Sequence, residues 1–240
     1  MFNKIEAKNA FTLAEVLITL VIIGVVAALT IPAAINKYQK QQTISLLKKT
    51  FSDFSQAVRL SVPKYGDPVT WDYSLGAEPF FNRYLKPNFV KAREMTLDRN
   101  EILYQRLSGR IENMYAPLAN GAIVLVLNSG VIIYVSAGNV ANTPQLKQKC
   151  YMFDINGLKK PNIIGRDLFS YCLDGEKGYM VPFAIDDYQS VSVSVEKSRE
   201  VLKDGPSGNS YQCNTSGRGM WCAALIIKDG WQIKDDYPWK

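Results

Sequence analysis

The most constraining feature of this chain is an apolar run close to its N-terminus. From Val16 to Ile35 the run is interrupted only by Thr19, Gly24, Thr30 and Pro32. About 20 residues of this kind form a helix long enough to cross a bilayer core of about 30 Å. Lysines stand on both sides of the run: Lys4, Lys8, Lys37 and Lys40. These charged ends predict a membrane helix whose short N-terminal leader stays in the cytoplasm.

An ordinary secretory signal is the alternative interpretation of the run. Such a signal has a shorter apolar core and a cleavage site made of small residues. The candidates for that site are Ala27, Ala28, Ala33 and Ala34. Two features count against it, because the run continues into an amphipathic helix and Glu15 stands at its front. A carboxylate just inside the bilayer edge is costly without a partner, so it indicates function, and the expected partner is a cation on another subunit.

The segment around Glu15 resembles a known processing motif. Its sequence, Ala-Phe-Thr-Leu-Ala-Glu-Val-Leu-Ile over residues 10–18, is similar to the N-terminal cleavage and methylation motif of type IV pilins and type II secretion pseudopilins. The resemblance implies that a prepilin peptidase cuts between Ala10 and Phe11 and methylates the new amino group of Phe11. Gly is usual before the cut, so Ala10 implies slower processing.

The same resemblance assigns residues to filament assembly. Glu15 would neutralise the amino terminus of a neighbouring subunit, with Thr12 beside it, and Pro32 matches a helix-kinking proline of the family. Two charges buried in hydrocarbon are tolerable only as a pair, so such a pair fixes the register between subunits.

The resemblance also implies partners and a location. The partners are other pilin or pseudopilin subunits, the prepilin peptidase, an inner-membrane assembly platform and the membrane itself. The protein would cross the bacterial inner membrane once, with its head outside the cytoplasm, and then join a periplasmic or surface filament. Removal of ten residues from 240 leaves 230, which is long for a major pilin and favours a minor pilin or a pseudopilin.

A second apolar pattern follows the membrane segment. Five residues recur at helical spacing and define one face: Ile44, Leu47, Phe51, Phe54 and Val58. We predict a helix to about Val62, ended by Pro63 and the Gly66-Asp67-Pro68 cluster. The expected fold is α+β, a pilin-like lollipop whose long helix packs on an antiparallel sheet. The expected divisions are a leader at 1–10, a membrane helix at 11–35, an amphipathic half at 36–64 and a head at 65–240.

Several elements of the head are predicted from local patterns. Helices are expected over Glu78–Leu85 and Glu101–Tyr115. β-Branched arms at 121–127 and 131–136 around Asn128-Ser129-Gly130 predict a hairpin at the centre of the sheet, against the helix. A further strand is expected over Cys150–Ile155, and a last strand or short helix over Ala223–Ile227. Trp231, Tyr237 and Trp239 are expected to pack under a disulfide loop, or else to contact a neighbouring subunit.

Four cysteines lie in the last hundred residues: Cys150, Cys172, Cys213 and Cys222. Their even number suits two disulfides in an exported domain. A zinc site is the weaker alternative, because the chain has no Cys-x-x-Cys pair and no histidine. Sequential pairing is our hypothesis, although four cysteines allow three connectivities.

The loop after Cys150 carries oxygen ligands of the type that calcium prefers, in Asp154, Asn156 and Asp167. Their spacing does not match a calcium-binding loop, and a turn built on Asn156-Gly157 explains them better. The stretch also resembles a pattern that recurs in bacterial pilin-like proteins. We therefore expect no cofactor, with calcium at this loop as the alternative.

No catalytic constellation is present in the sequence. Without histidine there is no Ser-His or Cys-His pair, and the neighbouring aspartates at 186–187 and 235–236 would point to opposite faces of a strand. We therefore expect no enzyme, with an anchored hydrolase as the alternative from that class.

The basic balance suggests a possible binding role. The formal charge is +6, which usually reflects solubility alone. Five residues could form a basic surface: Lys147, Lys149, Lys159, Lys160 and Arg166. A pilus-borne subunit for adhesion or DNA uptake is therefore the alternative function, although DNA is not the favoured partner.

Overall fold

The computed structural model describes residues 12–95, 103–113, 123–135, 147–183, 198–205 and 211–239. The chain divides into two units, Met1–Gln42 and Thr43–Lys240. The helices are α1 (Leu13–Tyr65), α2 (Ala77–Phe80), α3 (Arg199–Asp204) and α4 (Cys222–Lys228). The strands are β1 (Arg93–Met95), β2 (Leu103–Gln105), β3 (Ile111–Asn113), β4 (Ile123–Val126), β5 (Ile132–Val135), β6 (Gln148–Asp154), β7 (Leu168–Asp174) and β8 (Tyr179–Pro182). The predicted α+β class is confirmed, with a long first helix followed by an antiparallel sheet domain.

The second unit, which starts at Thr43, contains most of the part of α1 that was predicted to be amphipathic. Leu47, Phe54 and Val58 are buried, whereas Ile44 and Phe51 are partly buried against the same core. The helical period places these side chains on one face, and their burial stabilises the unit by removing apolar surface from water.

Six strands form the main sheet, in the order β1-β4-β5-β6-β7-β8, and all neighbours are antiparallel. The predicted hairpin is β4–β5, and the predicted strand over Cys150–Ile155 is β6. The ring of Phe54 lies 4.9 Å from that of Tyr151 and 5.1 Å from that of Phe153, both in β6. Phe51 lies 5.2 Å from Tyr171 in β7. The aromatic face of α1 therefore packs on β6 and β7. The sequence had predicted that the β4–β5 hairpin would lie against this helix.

The helix predicted over Glu101–Tyr115 is wrong. β2 and β3 form a two-stranded antiparallel sheet, in which Gln105 pairs with Ile111. The turn between the strands needs Gly109, whose φ is +90°, a conformation that glycine adopts without steric cost. The other predicted helix, over Glu78–Leu85, is present as α2 and a following π-helical turn, Phe81–Leu85.

The end of α1 also differs from its prediction. The helix passes Pro63 and ends at Tyr65, followed by Gly66 with φ of +78°. A proline in the last turn removes one backbone donor but leaves the helix intact, because Gly66 still donates to the carbonyl of Val62 at 2.9 Å. Asp67 then caps a short 3₁₀ turn by accepting a hydrogen bond from Val69 N at 3.0 Å.

Two disulfide bonds lie within the second unit. Bonds join Cys150 to Cys172 and Cys213 to Cys222, which is the sequential pairing. Cys150 and Cys172 face each other in the β6–β7 register. The segment Ala223–Ile227 lies in α4.

All three tail aromatics pack against the core of the second unit. Trp231 packs edge-on against Phe51 at 5.8 Å. The Tyr237 hydroxyl donates to the carbonyl of Gly165.

Candidate processing and assembly site

The first turn of α1 is closed by a reciprocal cap. Thr12 precedes the helix, and its backbone nitrogen and hydroxyl both donate to the carboxylate of Glu15, each at 2.8 Å. The amide of Glu15 donates back to the Thr12 hydroxyl at 3.2 Å. This capping box satisfies donors that every helix start leaves without intrahelical partners. It also holds a negative charge at the positive end of the helix dipole.

The helix that follows this cap has the character of a membrane span. It is the one helix among the described residues that is long and apolar enough to cross a bilayer, with a mean hydropathy of 2.7 in its most apolar window. Its polar side chains are satisfied locally, because Thr19 donates to Val16 O and Thr30 to Val26 O, both at 2.9 Å. Such bonds to the preceding turn satisfy the hydroxyl donors and so reduce the cost of placing a hydroxyl in hydrocarbon.

The other processing and assembly residues are placed as follows. Pro32 lies inside α1, and the helix is continuous through it. Ala10 and Phe11 lie outside the described residues. Of the predicted assembly residues, Thr12 and Glu15 are therefore brought together, and Pro32 lies about five turns further along the helix.

Residues 7–31 match the prokaryotic N-terminal methylation motif, which confirms the resemblance to type IV pilins and pseudopilins. Residues 33–240 match a family of unknown function, DUF6613. The chain belongs to that family. Comparison with curated proteins found no match, and neither did comparison with solved structures.

The calcium candidates lie together in the head, where hydrogen bonds use carboxylate oxygens of Asp154 and Asp167, whereas the Oδ1 atom of Asn156 is buried without a hydrogen-bond partner. Asp154 accepts from Asn156 N at 3.2 Å, and Asn156 Nδ2 donates to Asp167 Oδ1 at 3.0 Å. The second oxygen of Asp167 accepts from Ile163 N at 2.9 Å. Among the described residues, no three His, Cys, Asp or Glu side chains are grouped to hold a metal. These contacts build the turn that was the favoured interpretation, and calcium stays a prediction.

Asp154 is fully buried beside two tyrosines. Tyr104 donates its hydroxyl to Asp154, and the Tyr104 and Tyr134 hydroxyls lie 3.0 Å apart. Burial raises the pKa of Asp154 to about 7, although the bond from Tyr104 works against that rise. Burial also raises the pKa of Asp167. These polar groups connect β2 to β5 and β6, so they link the small sheet to the large one.

The basic surface expected from sequence does not form as predicted. Lys149 is buried, donates to Leu75 O at 2.7 Å and lies 5.6 Å from the ring centre of Phe80. Burial lowers the pKa of this ammonium group. Arg166 stacks on Trp239 at 4.7 Å.

Sequence reasoning missed an ion-pair group that holds the tail. Arg199, in the first turn of α3, forms pairs of 2.7 Å with both Asp229 and Asp236. Lys203 and Lys234 add bonds of 2.7 Å to Asp236 and 2.8 Å to Asp229, respectively. Hydrogen bonds from Arg199 hold the pKa of Asp236 below its usual range. The residues that Arg199 pairs with lie 30 and 37 positions away in the sequence, so no local sequence pattern predicts these ion pairs.

Proposed function

We propose that this protein is a structural filament subunit, a minor pilin or pseudopilin of a type IV pilus or a type II secretion filament. The observation that carries the proposal is the methylation motif at residues 7–31, which leads directly into an apolar helix. Glu15 stands in the first turn of that helix and is the fifth residue after the predicted cut.

The physical steps follow from the position of Glu15. Cleavage after Ala10 would leave the amine of Phe11 near the start of the apolar helix. An unpaired charge in hydrocarbon is costly, so the amine of one subunit and the carboxylate of another are stabilised by meeting. In the single chain, the carboxylate is held by Thr12. Assembly would therefore exchange or supplement that cap with a bond to an ammonium group.

The proposal includes partners and a location. The apolar helix fits membrane anchoring. We place the protein in the bacterial inner membrane with its head outside the cytoplasm, before it joins a periplasmic or surface filament. Its partners would be other pilin-type subunits, the prepilin peptidase and the assembly platform. We expect its role to be structural, without enzymatic activity.

The N-terminus of the processed protein tests the proposal. The full precursor is co-expressed with a prepilin peptidase in a bacterial membrane, and the product is analysed by mass spectrometry. We expect loss of residues 1–10 and a methyl group on the amine of Phe11. Co-expression with an inactive peptidase is the control and should leave the precursor intact. An unmethylated terminus at any other residue would contradict the proposal.

A further inference from the structure

Two lysines follow the apolar run of α1 directly. The run ends at Ile35, and Lys37 and Lys40 stand two and five positions later, within α1 and within the first unit. At a rise of about 1.5 Å per residue, their Cα atoms lie about 3 and about 7.5 Å beyond that of Ile35 along the helix axis. The headgroup layer on each face of a bilayer is about 5–8 Å thick. Both lysines therefore start in this layer when the run from Val16 to Ile35 spans the hydrocarbon core.

The segment around these lysines carries positive charge without nearby carboxylates. No Asp or Glu stands in the sequence between Glu15 and Asp53. The ion pairs among the described residues include neither Lys37 nor Lys40. Lys37 is exposed, and Lys40 is partly exposed. Their ammonium groups are therefore available to an anion at the membrane surface.

The two lysines and Tyr38 between them share the level of the lipid headgroups. Residues three apart lie on one helix face with Cβ atoms about 5–6 Å apart, so Lys37 and Lys40 can contact one headgroup or two adjacent ones. Their long apolar stems can lie along the helix while the ammonium groups reach the headgroups. Tyr38 is 65% exposed. Tyrosine is typical of this layer, where its hydroxyl can donate to a phosphate oxygen.

A positively charged site in the headgroup layer distinguishes lipids by their net charge. The phosphate of a zwitterionic lipid is compensated by the cationic group of the same headgroup, whereas the phosphate of an anionic lipid is not. Lysines close to a membrane are attracted to anionic lipid surfaces for this reason. We propose that Lys37, Tyr38 and Lys40 form a binding site for the phosphate groups of anionic phospholipids. The site holds the unassembled subunit at a fixed depth in the membrane.

Lipid titration of the full-length protein in a nonionic detergent tests the proposal. The probes are phosphatidylglycerol and phosphatidylcholine with the same acyl chains, and native mass spectrometry measures the apparent dissociation constant of the first bound lipid. The test variant is Lys37→Gln with Lys40→Gln. The control is Lys159→Gln with Lys160→Gln, at exposed lysines of the second unit. Each double variant lowers the formal charge from +6 to +4.

We expect the wild type to bind phosphatidylglycerol at least about fivefold more tightly than phosphatidylcholine. The double variant at Lys37 and Lys40 should bind phosphatidylglycerol at least about fivefold more weakly than the wild type, because it lacks both cations, and the control less than about twofold more weakly. Lys37→Arg with Lys40→Arg keeps both charges and should stay within about twofold of the wild type. Tyr38→Phe loses one hydrogen-bond donor and should weaken binding about two- to fivefold.

Three results would overturn the proposal. The first is equal affinity of the wild type for the two lipids. The second is an equal loss in the two glutamine variants, because the response would then follow net charge alone. The third is a loss in the arginine variant as large as in the glutamine variant at the same positions, because charge would then not be the cause. Wild-type binding by Tyr38→Phe would overturn the assignment of the tyrosine to the site.

The lipid site rests on the membrane insertion of α1, which the proposed function also requires. Alkaline carbonate extraction of bacterial membranes that contain the full-length protein tests this insertion separately. Release of the protein would contradict the insertion and both proposals with it. Retention of the protein together with equal affinities for the two lipids would contradict the lipid site alone.

Discussion

The carboxylate of Glu15 accepts two hydrogen bonds from Thr12, from its backbone nitrogen and its hydroxyl, each at 2.8 Å. The residue proposed to join subunits is therefore also the residue that completes the helix cap within its own subunit. These two roles depend on different properties of the side chain. Capping needs a hydrogen-bond acceptor at this position, whereas pairing with an ammonium group needs a negative charge.

Glu15→Gln and Thr12→Val separate these roles. Glu15→Gln keeps an acceptor for Thr12 but removes the charge, so we expect filament incorporation to fall at least tenfold. Thr12→Val removes the hydroxyl and keeps the charge, and should cost about 1 kcal/mol at the helix start with a smaller fall in incorporation. The measurement is the amount of processed protein in sheared filaments from the encoding bacterium, relative to the amount in the membrane. Wild-type incorporation of Glu15→Gln would show that capping is the only role of Glu15.

The residue before the predicted cut should limit processing. Ala10 carries a methyl group where the resembling proteins have glycine, so Ala10→Gly is expected to be cleaved several-fold faster. Ala10→Val, with a larger branched side chain, should be cleaved more slowly than the wild type. The test is a time course of precursor conversion in membranes that contain a prepilin peptidase. Equal rates for the three precursors would show that side-chain size at this position is not limiting.

The elements predicted correctly are those with a strong local pattern. The helical face through Leu47, Phe54 and Val58 and the hairpin β4–β5 both follow from periodic apolar residues, which report burial directly. The region 103–113 was misread as helix. Its strands have only three residues each, and their pairing depends on a turn at Gly109.

Contacts between distant segments are the part that sequence could not predict. Arg199 meets Asp236 across 37 positions of sequence, and Ser108 N reaches the carbonyl of Gly217 only because the fold brings two loops together. Lys149 was expected to contribute to a basic surface with other basic residues close to it in sequence, yet it is buried and its ammonium group donates to Leu75 O. The separation of two residues in the sequence does not indicate whether the fold brings their side chains into contact.

Phe54 should be the residue of α1 on which the second unit depends most. It is 1% exposed and its ring contacts those of Phe81, Phe89, Tyr151 and Phe153. Phe54→Ala would leave a cavity among these rings and should lower the free energy of unfolding by about 3–5 kcal/mol. Leu60→Ala, at a residue that is 52% exposed on the same helix, is the control and should cost less than about 1 kcal/mol. Denaturant unfolding followed by tryptophan fluorescence measures both, and similar costs would contradict this placement of the core.

The stability of the head should depend on pH through Asp154. Burial raises the pKa of this carboxyl to about 7 in the folded chain, against an ordinary value of about 4 when unfolded. At a pH between these two pKa values, Asp154 is protonated in the folded protein but ionised in the unfolded chain. The contribution of Asp154 to the free energy of unfolding is therefore fully present below about pH 4 and is lost as the pH rises through about 7. The wild type should lose on the order of 2–4 kcal/mol more than Asp154→Asn between about pH 4.5 and 8.

Asp154→Asn is a suitable comparison because its amide can donate to the Tyr104 hydroxyl, which can in turn donate to Tyr134. Asp167, whose pKa is also raised, remains in both proteins, so the difference between their pH profiles reports Asp154. The measurement is the free energy of unfolding by denaturant at half-unit steps of pH. If the two profiles are parallel, Asp154 keeps an ordinary pKa in the folded chain, and the link between the two sheets is then made by an ionised carboxylate.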